Sequence, residues 1–381
     1  MSRWRVSLYK IYWDEDDVER VSEVIRRGMF WAIGPNIEKF ERMVAERIGR
    51  KFATAFNSGT SALHAVLLTY GIKRGDEVIV PSFTFISTAN SVLFVGAKPV
   101  FADIESETYG LDPENVKEKI TRKTKAIMPV HYGGLPCRIK ELKDIAEEKN
   151  VLLIEDAAES LGAKVGGKPV GSFGDAAMFS FCGNKVITTG EGGIMLTDKR
   201  EIYEKLKLIR SHGRLETEHY FTSTKLVDYV TLGYNWRMSN ITAALGTSQL
   251  EKLDKLIRMR RKNVAYLSKR MSNIRGIDPP DTPKGYFHVY QMYTVKVKDG
   301  KTLRDALKKH LANKGVMTKV YFSPVHLTSF YKEKFGFHGG ELPVTEELSQ
   351  QVLTLPMYAS LTTDEMDYVV SNIKDFMRNL G

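Results

Sequence analysis

Residues 176–193 read AAMFSFCGNKVITTGEGG. A short apolar and aromatic run gives way to a lone lysine, Lys185, and then to two threonines and a glycine-rich turn. A run this short, bounded by turn residues, reads as a strand buried on both faces rather than as a helix. The pattern recurs upstream in FATAF (52–56), EVIVP (77–81), PVF (99–101), KAIMPV (125–130) and VLLIED (151–156). Helical patterns separate several of these runs: SALHAVLLTYG (61–71), TFISTANSVLFVG (84–96) and RIKELKDIAEEKN (138–150). Strands alternating with amphipathic helices predict an α/β domain whose mainly parallel sheet is covered by helices on both faces.

Downstream the character changes. SNITAALGTSQLEKLDKLIRMRRKNVAYLSKRM (239–271) reads as one long helix. An alternating strand, HVYQMYTVKV (288–297), a helix, TLRDALKKHLANKG (302–315), and two closing helices near 343–353 and 363–379 follow it. This α+β pattern places a boundary near residue 250, with a large cofactor-binding α/β domain over 1–249 and a smaller α+β domain over 250–381.

The 381 residues are 43% hydrophobic and 27% charged, the balance of an ordinary globular chain. The net charge of +10 is spread through mixed-sign helices such as KEKITRKTK (117–125) and IYEKLKLIR (202–210). That distribution suits an anionic small-molecule substrate better than a nucleic acid. The two cysteines, Cys137 and Cys182, lie far apart without partners at metal-ligand spacing, which argues against a disulfide framework or a metal site. No apolar stretch approaches the roughly 20 residues of a membrane helix, and the N-terminal residues lack a signal peptide's apolar core. The reading is a cytoplasmic protein that neither enters a membrane nor binds nucleic acid.

In open α/β sheets, ligands gather at the carboxyl ends of the strands, so the polar residues that follow strands are the candidates. NSGTS (57–61) puts small residues at a helix start, either an anion site built on Gly59, Thr60 and Ser61 or a plain N-cap by Thr60 or Ser61. No GK[ST] follows it, and no GxGxxG opens a βαβ unit, which excludes the common nucleotide loops. Asp156 ends VLLIED, and a carboxylate at the mouth of a buried strand calls for a cation or a protonated ring nitrogen unless it caps the next helix. Alternation sends its neighbour Glu155 to the opposite face. Lys185 is either a loop lysine or an amine kept reactive in a partly apolar cleft. With an aromatic, Phe83 or Phe85, at another strand end, the set matches the needs of pyridoxal phosphate (PLP): an anion cradle, a ring partner, an acid and an amine.

FSFCGNKVITTGEGGIMLTD (179–198) resembles the lysine motif of the DegT/DnrJ/EryC1/StrS aminotransferases. RRGMFWAIGPNIEKFE (26–41), GDEVIVPSFTFISTANSV (75–92), MPVHYGGLPC (128–137), IEDAAESLGA (154–163), GYNWRMSNITAALGTSQL (233–250), SPVHL (323–327) and LTLPMY (353–358) follow in the family's order, so the likeness spans nearly the whole chain. It implies a fold type I PLP-dependent aminotransferase that moves an amino group from glutamate to a nucleotide-linked keto-sugar, here a 4-keto-6-deoxy sugar, as a homodimer with shared active sites. It also implies that Lys185 carries the cofactor and shuttles the proton, Asp156 pairs with the pyridine nitrogen and Phe85 stacks on the ring. Thr60, Ser61 and Ser180 would hold the phosphate, and Asn235 would reach it from the partner subunit. Glu159 stands where other members place glutamine or histidine against the phenolic oxygen; His326 and Arg237 would lie on the substrate side. A 3-keto-sugar or keto-inositol aminotransferase, or a PLP-binding regulator without turnover, are the alternatives.

Overall fold

The computed structural model describes residues 4–215, 224 and 226–379. Its main sheet is built from Phe52–Phe56 (β1), Glu77–Pro81 (β2), Lys98–Ala102 (β3), Thr124–Ile127 (β4), Leu152–Asp156 (β5), Ala176–Ser180 (β6) and Gly193–Thr197 (β7), in the order β1-β7-β6-β5-β4-β2-β3. From β3 through β2, β4 and β5 to β6 the pairings are parallel, whereas β7 runs antiparallel to both β6 and β1. The strands are continuously apolar because both faces are covered. On β2, Val78 and Val80 enter one core and Ile79 the opposite one, all three fully buried. Each such side chain contributes about 1.5–3 kcal/mol of burial.

Strand β7 (GIMLT) is not among the strands read from the sequence. It returns straight from the TTGEGG turn without the helix that a parallel connection requires. Because β7 is reversed on both sides, β1 points the same way as β6. The carboxyl ends of β1, β2, β4, β5 and β6 therefore share one edge.

β1 is an edge strand, and its exposed backbone is met by an ion pair. The Ala55 amide donates to Glu41 Oε1 at 2.7 Å, while Arg210 Nη1 donates to the Ala55 carbonyl at 2.9 Å and to Glu41. A helix and a guanidinium thus stand in for a missing strand.

Two expectations change in the C-terminal part. The long helix is interrupted at Lys252, giving Asn240–Glu251 and Leu253–Met271. The Lys252 amide turns back to the Gln249 carbonyl at 3.2 Å, and its ammonium is drawn to Asp14 and to Asp17 Oδ2, the latter at 2.9 Å. The strand expected over 288–297 is confined to Tyr293–Val297 (β9), which pairs antiparallel with Ile277–Asp278 (β8) and Val352–Leu355 (β10). Residues 288–292 instead form a strap over the diglycine Gly133–Gly134. The amides of Val289 and Met292 donate to the carbonyls of Gly134 and Gly133 at 3.1 and 3.0 Å, and Tyr290 adopts φ 53°. A left-handed residue cannot continue an extended strand. The core beneath β9 gathers Val264, Leu267, Val295, Leu311 and Ile373 together with Val6 from the N-terminal segment. No helix among the described residues is long and apolar enough to cross a membrane.

One buried carboxylate ties the sheet to the loop after it. Glu155 is fully buried and accepts the amides of Gly171, Phe173 and Gly174, each at 2.8 Å, with His131 Nε2 at 3.2 Å and Arg50 Nη2 at 4.0 Å. The Cys137 amide donates to His131 Nδ1 at 3.1 Å, so the ring carries its proton on Nε2 and donates to Glu155. Burial alone would raise the Glu155 pKa, but the His131 bond and the backbone amides outweigh it and hold the group below its usual 4.5. A depressed carboxyl pKa contributes stability that is present above the unfolded value and lost as pH falls through the folded one. Glu155→Gln is therefore expected to cost about 2–3 kcal/mol at neutral pH, because some of these amides lose their acceptor. Its loss of melting temperature on acidification below about pH 4.5 should be shallower than the parent's. Thermal melts across that range check both; equal slopes in parent and variant would refute the assignment.

Candidate active site

The polar residues at the shared strand edge converge as the parallel sheet requires. After β1, Ser58 caps the helix Gly59–Thr69, its hydroxyl accepting the Ser61 amide at 3.1 Å. The cap is therefore Ser58 and not Thr60 or Ser61. That leaves the first-turn amides of Gly59 and Thr60 without intrahelical acceptors, as at any helix start. Thr60 Oγ1 meets Ser87 Oγ at 2.8 Å, and Ser61 turns inward to Asn57 Oδ1 at 2.5 Å. The cradle is closed from below by β7. A Cβ on Gly193 would stand 2.4 Å from the Ser58 carbonyl and 2.5 Å from the Gly59 amide, so only glycine lets the two segments meet. Ser180 lies beside the cradle, its Cβ 3.3 Å from where a Gly59 Cβ would be. Of the two aromatic candidates, Phe83 is fully buried against Tyr109 and Tyr132, while Phe85 stands 60% exposed at the mouth.

At the end of β5, Asp156 and Glu155 take opposite faces. Asp156 is buried and, among the described residues, accepts only Thr88 Oγ1 at 2.8 Å and the Ala158 amide at 3.2 Å. Burial pushes its pKa up, and these hydrogen bonds and the field of Lys185 offset this only in part. Such a carboxylate lacks a directly paired cation, which a protonated ring nitrogen would supply. Glu159, 9% exposed, is held by one oxygen: the Gly133 amide donates to Oε2 at 2.8 Å, which leaves Oε1 to face Lys185 Nζ at 3.3 Å. A lysine amine paired with an anchored carboxylate, a buried acid short of a cation and a helix-start anion cradle fit PLP in charge at each of its polar ends.

The remaining expectations separate. Asn235 is exposed on a segment whose neighbours Tyr234 and Trp236 stack on each other with ring centroids 3.9 Å apart and pack against the chain's own core, and whose Trp236 carbonyl accepts the Asn57 amide at 2.8 Å. It sits next to the cradle, on the molecular surface. Arg237 bonds Ser211 Oγ at 3.2 Å and lines a separate hollow of about 690 Å³ with Arg42, Lys207 and Arg210, so within one chain it does not share the cleft with Lys185. His326 is fully buried, with Nδ1 on Ser82 Oγ at 2.6 Å and Nε2 on Glu346 Oε1 at 3.2 Å. Both ring nitrogens are engaged within the protein, which leaves none to offer a substrate. Three contributors escaped the sequence reading. Thr88 was quoted only as part of a helix, although a hydroxyl one turn after a strand end can reach the neighbouring strand's acid. Gly133, in HYGG, acts through its backbone and carries no side-chain signal. Tyr321, whose hydroxyl is raised in pKa by burial and by Glu159, comes from a distant loop.

The family model for the DegT/DnrJ/EryC1/StrS aminotransferase family matches residues 12–374. The GDP-perosamine synthase of Escherichia coli O157:H7 is 37% identical over 94% of this chain and 94% of its own length. Among solved structures, Helicobacter pylori PseC, an aminotransferase involved in the biosynthesis of pseudoaminic acid, superposes with a TM-score of 0.92 at 26% identity, covering 98% of this chain and 99% of its own. The PLP form of Spr1654 from Streptococcus pneumoniae gives 0.91 at 26% identity, covering 97% and 98%.

Asp156→Asn should separate stability from chemistry. It removes a carboxylate whose charge burial opposes, so the cofactor-free variant is expected to melt no lower than the parent at pH 8. If Asp156 pairs with a protonated ring nitrogen, turnover should fall about a hundredfold or more. Melting curves and a transamination assay measure the two effects, and a variant that keeps parental turnover would sink the role given to Asp156.

Proposed function

We propose, from the premise that the chain belongs to the DegT/DnrJ/EryC1/StrS aminotransferase family and is a PLP-dependent aminotransferase, that it moves the amino group of glutamate onto the keto carbon of a nucleotide-linked 4-keto-6-deoxy sugar. The observation that carries the reading is the Lys185–Glu159 pair at 3.3 Å beside the buried Asp156, at the mouth of one parallel sheet. The bound cofactor supplies the electron sink for the carbanion formed at the amino-bearing carbon. The chain's own residues do the rest. Lys185 Nζ would carry the proton between the donor's α-carbon and the cofactor's C4′ in the first half-reaction, and from C4′ to the acceptor's carbon in the second. Glu159 orients that amine and, through the Gly133 amide on its other oxygen, cannot swing away from it. Asp156 would keep a proton on the cofactor's ring nitrogen, and the amides of Gly59 and Thr60 would hold its phosphate.

Likeness to relatives named GDP-perosamine synthases supports GDP as the carrier. The excess of positive charge, +10, suits a diphosphate-bearing substrate. Presenting the pyridoxamine form with UDP-, GDP- and dTDP-linked 4-keto-6-deoxy sugars should give amino-sugar product with the GDP compound at the highest kcat/KM. No product from any of them would refute the substrate class, and no conversion of the PLP form by glutamate would refute the donor.

The exposed Asn235 next to the cradle supports a homodimer in which this side chain completes the partner's phosphate site. Complementation tests it. Lys185→Ala and Asn235→Asp, each inactive alone, leave one intact site in a mixed dimer only if Asn235 crosses between subunits. Random re-pairing should then restore about a quarter of parental activity, from one sound site in half of the dimers. Two subunits with self-contained sites would restore none.

A further inference from the structure

Lys185 and Glu159 come from different strand ends, yet their outer supports meet in one short segment of the C-terminal part. Gln291 Nε2 donates to the carbonyl of Asn184, the residue before Lys185, at 2.6 Å. One position further along the same strap, the Met292 amide donates at 3.0 Å to the carbonyl of Gly133, whose own amide holds Glu159 at 2.8 Å. The strap lies so close to this diglycine that a Cβ on Gly134 (φ +95°) would stand 2.7 Å from Val289 Cγ2 and 2.9 Å from the Gln291 amide. The contact therefore demands glycine.

The strap is itself clamped. Arg260, 3% exposed on the helix Leu253–Met271, donates Nη1 to the carbonyls of Tyr290 at 3.0 Å, Gln291 at 3.3 Å and Met357 at 3.2 Å. A buried guanidinium devoted to carbonyls carries a desolvation cost that an apolar side chain would avoid. Gln291 shows the same pattern: it is 5% exposed, and its Oε1 is buried with no protein partner. A methionine there would have the same length and no polar end to satisfy. What the glutamine adds is the bond to Asn184.

We propose that Gln291 is a positioning residue for Lys185, and that the strap 288–292, fixed by Arg260, sets the geometry of the Lys185–Glu159 pair from the C-terminal part of the chain. Its catalytic consequence rests on the reading of Lys185 as the proton carrier; its structural half does not. The test uses purified full-length protein with Gln291→Met, which keeps the volume, and Gln291→Asn, which keeps the amide but falls a methylene short. Amide hydrogen exchange over residues 182–186 should quicken about 5- to 10-fold in both variants, the loss of one buried hydrogen bond, while exchange over β6 stays parental. kcat should fall by a similar factor with KM for the sugar nucleotide changed less than twofold, since the strap reaches the site through the backbone carbonyls of Asn184 and Gly133. Exchange over 182–186 that is unchanged, or that quickens equally throughout the chain, overturns the proposal. Quickened local exchange with parental kcat overturns its catalytic half. If the parent itself shows no transamination while the local exchange effect is present, the positioning stands and the functional reading falls.

Discussion

The structure depends on the way β5 ends. Two adjacent carboxylates leave the sheet on opposite faces, and their environments differ completely. Glu155 enters a nest of three backbone amides with His131 and Arg50 behind it, so its charge is satisfied by the fold itself. Asp156 is equally buried but receives one hydroxyl and one amide. A protein of only marginal stability tolerates an under-satisfied buried acid when function requires it. The first carboxylate locks the strand end so that the second can be held, rigid and short of a cation, where a charged ring nitrogen can meet it.

This division explains which parts of the molecule were legible in the sequence. The parallel strands were readable because burial on both faces leaves a run such as EVIVP no polar alternation and bounds it with turn residues. Lys185, Asp156 and the NSGTS cradle were readable because each follows such a run. The cap lies two or three residues before the expected Thr60 or Ser61, since several small hydroxyl residues in succession offer the same chemistry and only geometry selects Ser58. The strap at 288–292 was read as strand because its alternating side chains mimic one; the left-handed Tyr290 that ends the pattern has no sequence signature of its own. The substrate-side places of His326 and Arg237 rest on resemblance alone, and a residue type and position do not reveal that both ring nitrogens of His326 are already bonded.

Glu159 stands at the position where the resemblance implies glutamine or histidine in other members. A glutamine could donate to a phenolic oxygen, whereas a carboxylate can only accept unless it is protonated. Here one oxygen is consumed by the Gly133 amide, and the other faces an amine rather than empty cleft. The carboxylate is thus suited to holding an ammonium and to sharing its proton, and its effect on the neighbouring acid is to raise the Asp156 pKa further.

The reversed strand β7 gives the sheet its use. A parallel connection after β6 would carry the chain across the sheet face through a helix before it returned. The β6–β7 hairpin instead keeps the whole segment 181–192 at the edge where the strand ends open, with both of its stems hydrogen-bonded into the sheet. Lys185 therefore sits on a loop that is short of freedom at both ends, and β7 then packs Gly193 against the phosphate cradle. One change of strand direction places the amine, closes the anion site beneath it and aligns β1 with the parallel set. With the stems fixed in the sheet, the freedom left to Lys185 lies at the tip of the hairpin, and that is where the Gln291 amide takes hold.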